Sequence, residues 1–144
     1  MASFDSLDKK TKDEINQLFD KATDFLKDNK ISDALGCFNK ILVLDPNHHF
    51  ALLNKASWLA QLGMHRRALE AIDTALKQDP KSYKALLIKG SIFQDLTRYE
   101  EAVNTYLEAI TINPNDIPYI SMKNLGISLF KLQRYNDAIK IFGV

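Results

Sequence analysis

The sequence predicts an all-α fold, an α-solenoid of about four helical hairpins of which the last is truncated. Three observations predict it: a repeat of 34 residues, a helical spacing of apolar residues inside each repeat, and a proline near the end of a repeat. The repeat is clearest in three segments that end at Pro46, Pro80 and Pro114, each with an alanine twelve residues earlier. Stacking of such units would bury the apolar stripe that a single short hairpin leaves exposed.

Four columns of residues keep the same rhythm along the chain. Successive members of each column are 34, 34 and 36 residues apart. The columns are Ala22, Ala56, Gly90 and Gly126; Ala34, Ala68, Ala102 and Ala138; Phe25, Leu59, Phe93 and Leu129; and Phe38, Ile72, Tyr106 and Phe142. The predicted organisation is one domain over residues 1–144, with a short N-terminal extension at 1–11 and repeats at approximately 15–48, 49–82, 83–118 and 119–144.

Each repeat is predicted to consist of two helices joined by a tight turn. Leu52, Ala56 and Leu59 lie at i, i+4 and i+7, which places them on one face of a helix. Gly63 suits the left-handed residue that ends a helix. Pro80 stops the second helix, because its ring clashes with the preceding turn and it has no N–H to donate.

Polar residues near the repeat boundaries predict where helices begin. Ser82 and Asp116 follow repeat-ending prolines and are expected to cap the next helices. Thr11 and Glu14 have the spacing of a capping box for the first helix. The segment INPNDIPYI carries two extra residues before the fourth repeat, which either extend the start of that helix by half a turn or change the twist between repeats.

Composition and charge exclude several classes of function. The chain has 144 residues, of which 46% are hydrophobic, and a net charge of +1, so it shows no electrostatic signature of nucleic-acid binding. The one cysteine, Cys37, cannot form an internal disulfide and is expected to be a small buried residue. Neither a signal peptide nor a membrane-spanning run is apparent. A cytoplasmic protein with no nucleic-acid or membrane partner is expected.

No set of residues predicts a catalytic site, a metal site or a cofactor. His48 and His49 lack a cysteine or third histidine at metal-ligand spacing and are expected in a solvated loop. The pair Glu100 and Glu101 belongs to a helix start, where negative charge is favoured. Trp58 is expected to be partly buried between helices. The sequence therefore predicts a protein that is not an enzyme.

The residue columns resemble those of the tetratricopeptide repeat (TPR) family. That family has a small residue in the first helix, an alanine early in the second and a late proline, and the motifs RYEEA and RYNDA are typical of it. The resemblance covers the chain from about Ile15 onward. It departs from the family at Lys21, Lys55 and Lys89, where a large apolar residue is usual. It implies a right-handed α-α superhelix whose first helices line a concave groove.

The resemblance also implies a function, the binding of a partner protein. In the repeat register the groove lining alternates apolar side chains with amides and hydroxyls, which suits a peptide or helix with apolar anchors. Asn54 and Asn124 are expected to hydrogen-bond the backbone of the peptide. The predicted groove contacts are Phe50, Leu53, Asn54, Lys84, Leu87, Ile120 and Asn124.

One subtype of the family is not expected here. Chaperone-binding members hold an acidic C-terminal tail with a two-carboxylate clamp of lysine, asparagine and arginine side chains. Of the five corresponding positions in this chain, Asn54 and Lys84 match, whereas Phe19, Thr23 and Ile88 do not. Each missing charge-assisted hydrogen bond is worth about 1.5–3 kcal/mol, so tight binding of such a tail is not predicted.

Two other functions remain open at the sequence level. No polar capping helix follows the fourth repeat, so the chain could be a scaffold that self-associates, for instance as a homodimer, through its C-terminal end. The residues predicted for this interface are Phe130, Ile139, Ile141 and Phe142. Alternatively, the array could be the targeting part of a larger enzyme.

Overall fold

The computed structural model describes residues 6–142, and in that part of the chain all regular secondary structure is α-helical. The predicted all-α fold is therefore confirmed. The eight helices are α1 (Lys9–Lys27), α2 (Ile31–Leu44), α3 (His49–Gln61), α4 (His65–Gln78), α5 (Tyr83–Asp95), α6 (Tyr99–Ile112), α7 (Tyr119–Lys131) and α8 (Tyr135–Phe142). They divide into two compact units, the first ending at Gln78 and the second beginning at Asp79.

The first unit contains the hairpins α1–α2 and α3–α4, with α2 also packed against α3. Its core consists of the apolar stripes that the helical spacing predicts, since Ala56 and Leu59 of α3 and Ile72 of α4 are buried. Cys37 is buried on α2 and Trp58 is half-buried on α3, as expected from the sequence.

The second unit contains the hairpins α5–α6 and α7–α8, with α6 packed against α7. Small first-helix residues let aromatic rings of the second helices approach the backbone. A Cβ atom on Gly90 would lie 2.8 Å from the ring of Tyr106, and one on Gly126 would lie 2.5 Å from the ring of Phe142. In this unit, the column of small residues that includes Gly90 and Gly126 therefore contacts the column that includes Tyr106 and Phe142.

Every hairpin turn contains one residue in the left-handed conformation. These residues are Asn29, Gly63, Thr97 and Gln133, with φ between 57° and 79°. In each turn the following N–H donates to a carbonyl five residues earlier, as in Met64 N to Leu59 O at 2.9 Å. The prediction for Gly63 is confirmed. The other three positions were not predicted because their side chains pay a steric cost for this conformation that glycine avoids.

Two of the predicted helix starts differ in the structure. Ser82 caps α5 as expected, with its Oγ accepting from Ala85 N at 3.3 Å. The capping box at Thr11 is wrong, because α1 begins at Lys9 and its N-cap is Asp8. The Asp8 carboxylate accepts from Thr11 N at 2.7 Å. Hydrogen bonding with the Thr11 side chain, and then with its backbone N–H, lowers the pKa of Asp8. Asp8 lies three residues before Thr11, and its side-chain oxygen accepts the N-cap hydrogen bond instead.

The linker before α7 contains the two extra residues of the fourth repeat. The expected cap at Asp116 is wrong, because Pro118 occupies the N-cap position and Asp116 accepts a hydrogen bond from the Tyr83 hydroxyl instead. The half-turn extension is wrong as well, since α5 and α7 both have 13 residues. The additional length lies in the linker, where it lets Asp116 reach the start of α5.

Candidate functional site

In the first unit, the predicted groove residues lie on one turn of α3. The Phe50 side chain is 65% exposed, whereas Leu53 is 9% exposed and belongs to the core. Asn54 is half-buried, and its Nδ2 donates to the carbonyl of Phe50 at 2.9 Å. This turn therefore offers an exposed aromatic ring beside a side-chain amide, with Leu53 beneath it.

The start of α3 is held in place by His48. Its Nδ1 accepts from Ala51 N at 3.3 Å, and its ring lies 5.2 Å from the ring of Phe19 on α1. Burial lowers the pKa of His48, which favours the neutral imidazole that this acceptor role requires. The solvated loop expected for His48 and His49 is wrong, because both are half-buried and His49 begins the helix.

In the second unit, the predicted residues lie on α5 and α7, which contact one another. Ile120 is 58% exposed at the start of α7, at the register position that Lys84 occupies in α5. Lys84 is exposed and Leu87 is only 9% exposed. As in the first unit, the leucine is part of the core and the residue three positions before it reaches solvent.

Asn124 lies beside a buried phenol. The Tyr106 side chain is 1% exposed, and its hydroxyl donates to Gln94 Oε1 at 3.4 Å. Burial raises the pKa of Tyr106 to about 12, and the Asn124 and Ser91 side chains act in the opposite direction. Asn124 is thus engaged with the protein's own hydroxyl, which its predicted role did not include.

The C-terminal residues predicted for self-association are partly exposed. Phe130, Ile139 and Phe142 are 59%, 46% and 46% exposed, and Ile141 is half-buried. Phe142 also packs on Gly126, so it contributes to its own hairpin.

One exposed aromatic residue was missed by the sequence reasoning. Tyr119 at the start of α7 is 79% exposed and adjoins Ile120. Tyr119 directly precedes the predicted contact Ile120, and this position in the repeat could have identified it from the sequence.

Residues 6–142 contain no group of three or more His, Cys, Asp or Glu side chains arranged to hold a metal ion. Among the same residues, none of the helices has the length and apolar character needed to cross a membrane.

Tandem helical hairpins with a small residue where the helices cross define a tetratricopeptide-type repeat protein, a class of protein-interaction modules. The family model described as "Anaphase-promoting complex, cyclosome, subunit 3" matches residues 27–109. The chain belongs to this family of TPR-type sequences, which confirms the resemblance inferred from the residue columns. The match concerns the repeat sequence and assigns no complex to this chain.

Two relatives and one solved structure illustrate the similarity. The small glutamine-rich tetratricopeptide repeat-containing protein 2 of Mycosarcoma maydis is 31% identical over 58% of this chain and 24% of its own length. The probable UDP-N-acetylglucosamine–peptide N-acetylglucosaminyltransferase SPINDLY of Hordeum vulgare is 30% identical over 78% of this chain and 13% of its own length. The chain therefore spans a quarter or less of these relatives.

The structure of the first TPR of Spaghetti (RPAP3), bound to the HSP90 peptide SRMEEVD, has a TM-score of 0.76. The two chains are 22% identical, and the match covers 84% of this chain and 94% of that one. This similarity confirms the TPR solenoid fold.

Proposed function

We propose that the chain is a non-enzymatic, cytoplasmic adaptor that binds a peptide or helix of a partner protein on its first-helix faces. The observation that carries this proposal is the exposure of Phe50 and Ile120, 65% and 58%, at equivalent positions of α3 and α7. Large apolar side chains exposed beside hydrogen-bonding groups are the usual anchors of a peptide-binding surface. The family, whose members are interaction modules, supports the same function.

The neighbouring side chains define what such a partner should offer. Leu53 and Leu87 give each face an apolar floor, and Lys84 adds one exposed cation. Asn54 uses one amide N–H within its own helix and can offer the second N–H and its carbonyl to a peptide backbone. A segment with large apolar side chains separated by polar ones fits each of these faces by itself.

Phe50→Ala is expected to weaken binding of such a peptide by about tenfold or more, because exposed aromatic anchors dominate interface energies. Ligands would be selected from a random peptide library on the unaltered chain, and their affinities measured for both proteins. The matched control is Val43→Ala, which removes an 80% exposed side chain from α2 of the same unit. The proposal would be contradicted if Phe50→Ala and Val43→Ala weakened binding equally. It would also be contradicted if neither Phe50→Ala nor Ile120→Ala weakened binding.

The chain is expected not to favour the HSP90 peptide SRMEEVD over a scrambled version of it. The Thr23 hydroxyl donates its hydrogen bond to the carbonyl of Phe19 at 3.0 Å. Its one hydrogen is therefore used within α1 and is not offered to a ligand carboxylate. Titration of both peptides measures the preference. A preference already present in the unaltered chain would contradict the exclusion of the clamp.

A second candidate function, self-association, is favoured by exposure at the C-terminal hairpin. Val103 and Tyr106 on α6 are 0% and 1% exposed, whereas their register equivalents on α8, Ile139 and Phe142, are 46% exposed. We expect a dimer at high concentration in light scattering and its dissociation in Ile139→Lys. A monomer at every concentration would eliminate this candidate.

The third candidate, the targeting part of a larger enzyme, is supported by the match to SPINDLY, 13% of whose length is covered. A longer gene product that carries a catalytic domain would support it.

A further inference from the structure

A crevice in the first unit lies between α2, α3 and α4, and its lining includes none of the residues assigned to peptide binding. It encloses about 330 Å³. The residues that line it are Leu42, Pro46, Leu52, Lys55, Arg67, Glu70, Ala71 and Thr74. The lining therefore combines apolar side chains with two cationic side chains and one carboxylate.

The two cations are not neutralised in the usual way. Within residues 6–142, neither Lys55 nor Arg67 lies within ion-pair distance of a carboxylate. Burial and the charge of Arg67 lower the pKa of half-buried Lys55, and Glu70 acts in the opposite direction. The two positive groups are thus close enough to repel one another.

The start of α4 breaks the charge pattern of the other second helices. The first turns of α2, α6 and α8 carry acidic residues, which suit the positive end of the helix dipole. In contrast, α4 begins with His65, Arg66 and Arg67 and has no acidic residue in its first turn. The register equivalents of Arg67 are Asp33, Glu101 and Asp137.

This arrangement opposes the stability of α4, because like charge accumulates at a helix end that already favours an anion. A local rule that is broken without a compensating contact in the fold is a mark of a binding function. An anion beside Arg67 would relieve this repulsion in the first turn of α4.

We propose that the crevice between α2, α3 and α4 binds an oxyanion, a phosphate or carboxylate group, through Lys55 and Arg67. Arginine and lysine are the side chains that recognise such groups, the first by its planar fork and the second as a point charge. The apolar lining residues Leu42, Pro46 and Leu52 accommodate an organic body attached to the anion. Glu70 opposes the anion and limits its affinity.

The test is a titration of the full chain with inorganic phosphate, followed by amide chemical shifts at constant ionic strength. Saturable shifts are expected around Lys55 and Arg67. Arg67→Gln is expected to weaken binding about fivefold to tenfold, the loss of one partly screened charged hydrogen bond. Glu70→Gln is expected to tighten it. The matched control is Arg66→Gln, which removes the same charge from the same turn at a residue outside the crevice lining and should change affinity less than Arg67→Gln.

Parallel titrations with acetyl-phosphoserine amide and acetyl-glutamate amide distinguish the source of the anion. Tighter binding of either compound than of phosphate supports an anion carried by a peptide, and equal or weaker binding supports a free ion. Equal losses in Arg66→Gln and Arg67→Gln would overturn the proposal, because they would show only nonspecific attraction. Absence of saturable shifts with all three probes would overturn it as well.

Discussion

Tyr106→Ala is expected to lower the free energy of unfolding by about 3–5 kcal/mol, the usual cost of truncating a buried aromatic side chain. The Tyr106 ring is 1% exposed and packs against the backbone at Gly90. Its removal would leave a cavity in the contact between α5 and α6 that the surrounding helices fill only in part. Urea unfolding followed by circular dichroism measures the change.

The control for this prediction is Tyr106→Phe, which keeps the ring and removes the hydroxyl. This variant loses the long hydrogen bond to Gln94, at 3.4 Å, and the interactions of the hydroxyl with Asn124 and Ser91, and these losses should together cost about 1–2 kcal/mol. If Tyr106→Ala were no more destabilising than Tyr106→Phe, packing of the ring would not be what holds this hairpin together.

Gly90→Ala is expected to destabilise the protein by about 1–2 kcal/mol, although alanine is the better helix former. A Cβ atom at this position would lie 2.8–3.0 Å from three carbon atoms of the Tyr106 ring, which is buried and has little room to move. Overpacking of this kind costs about 1–3 kcal/mol, and the gain in helix propensity offsets at most about 1 kcal/mol of it. The urea midpoint gives the sign.

Two other glycines serve as controls for Gly90. Gly36 in α2 has no atom within 4 Å of the added Cβ, so Gly36→Ala should stabilise by about 0.5–1 kcal/mol. Gly126→Ala meets the ring of Phe142, which is 46% exposed and can move, so its cost should be smaller than that of Gly90→Ala. In a Tyr106→Leu background, Gly90→Ala should lose its penalty. Persistence of the penalty there would show that the ring is not its cause.

The register of the repeat made part of the candidate site predictable. Residues 34 or 36 positions apart occupy equivalent places in successive repeats. Phe50 and Ile120 are two repeats apart, so both could be assigned to one kind of position from the sequence alone. The same periodicity could not separate Phe50, at 65% exposure, from Leu53, at 9%, because the register says which helix face a residue occupies but not how deeply neighbouring helices cover it.

Competition among nearby polar groups explains most of the differences. Asp8, Thr11 and Glu14 could all take part in starting α1, and the structure uses Asp8. Asp116 follows Pro114 as Ser82 follows Pro80, but it lies two residues before the N-cap of α7 and accepts from Tyr83, a residue 33 positions earlier. Which hydrogen bond a polar side chain makes depends on the partners that the fold brings within hydrogen-bond distance. A local sequence pattern does not give the distance to a residue on another helix.

The sequence by itself determined the all-α repeat fold, the helix pairs and the alternation of small and large residues where they cross. Periodicity suffices for this, because each repeat must present the same apolar stripe to its neighbours at the same spacing. Only the tertiary structure decided that Asn124 lies beside Tyr106 and that Lys55 and Arg67 line one crevice. These contacts join residues on different helices, where the packed geometry of the unit sets the distance between side chains.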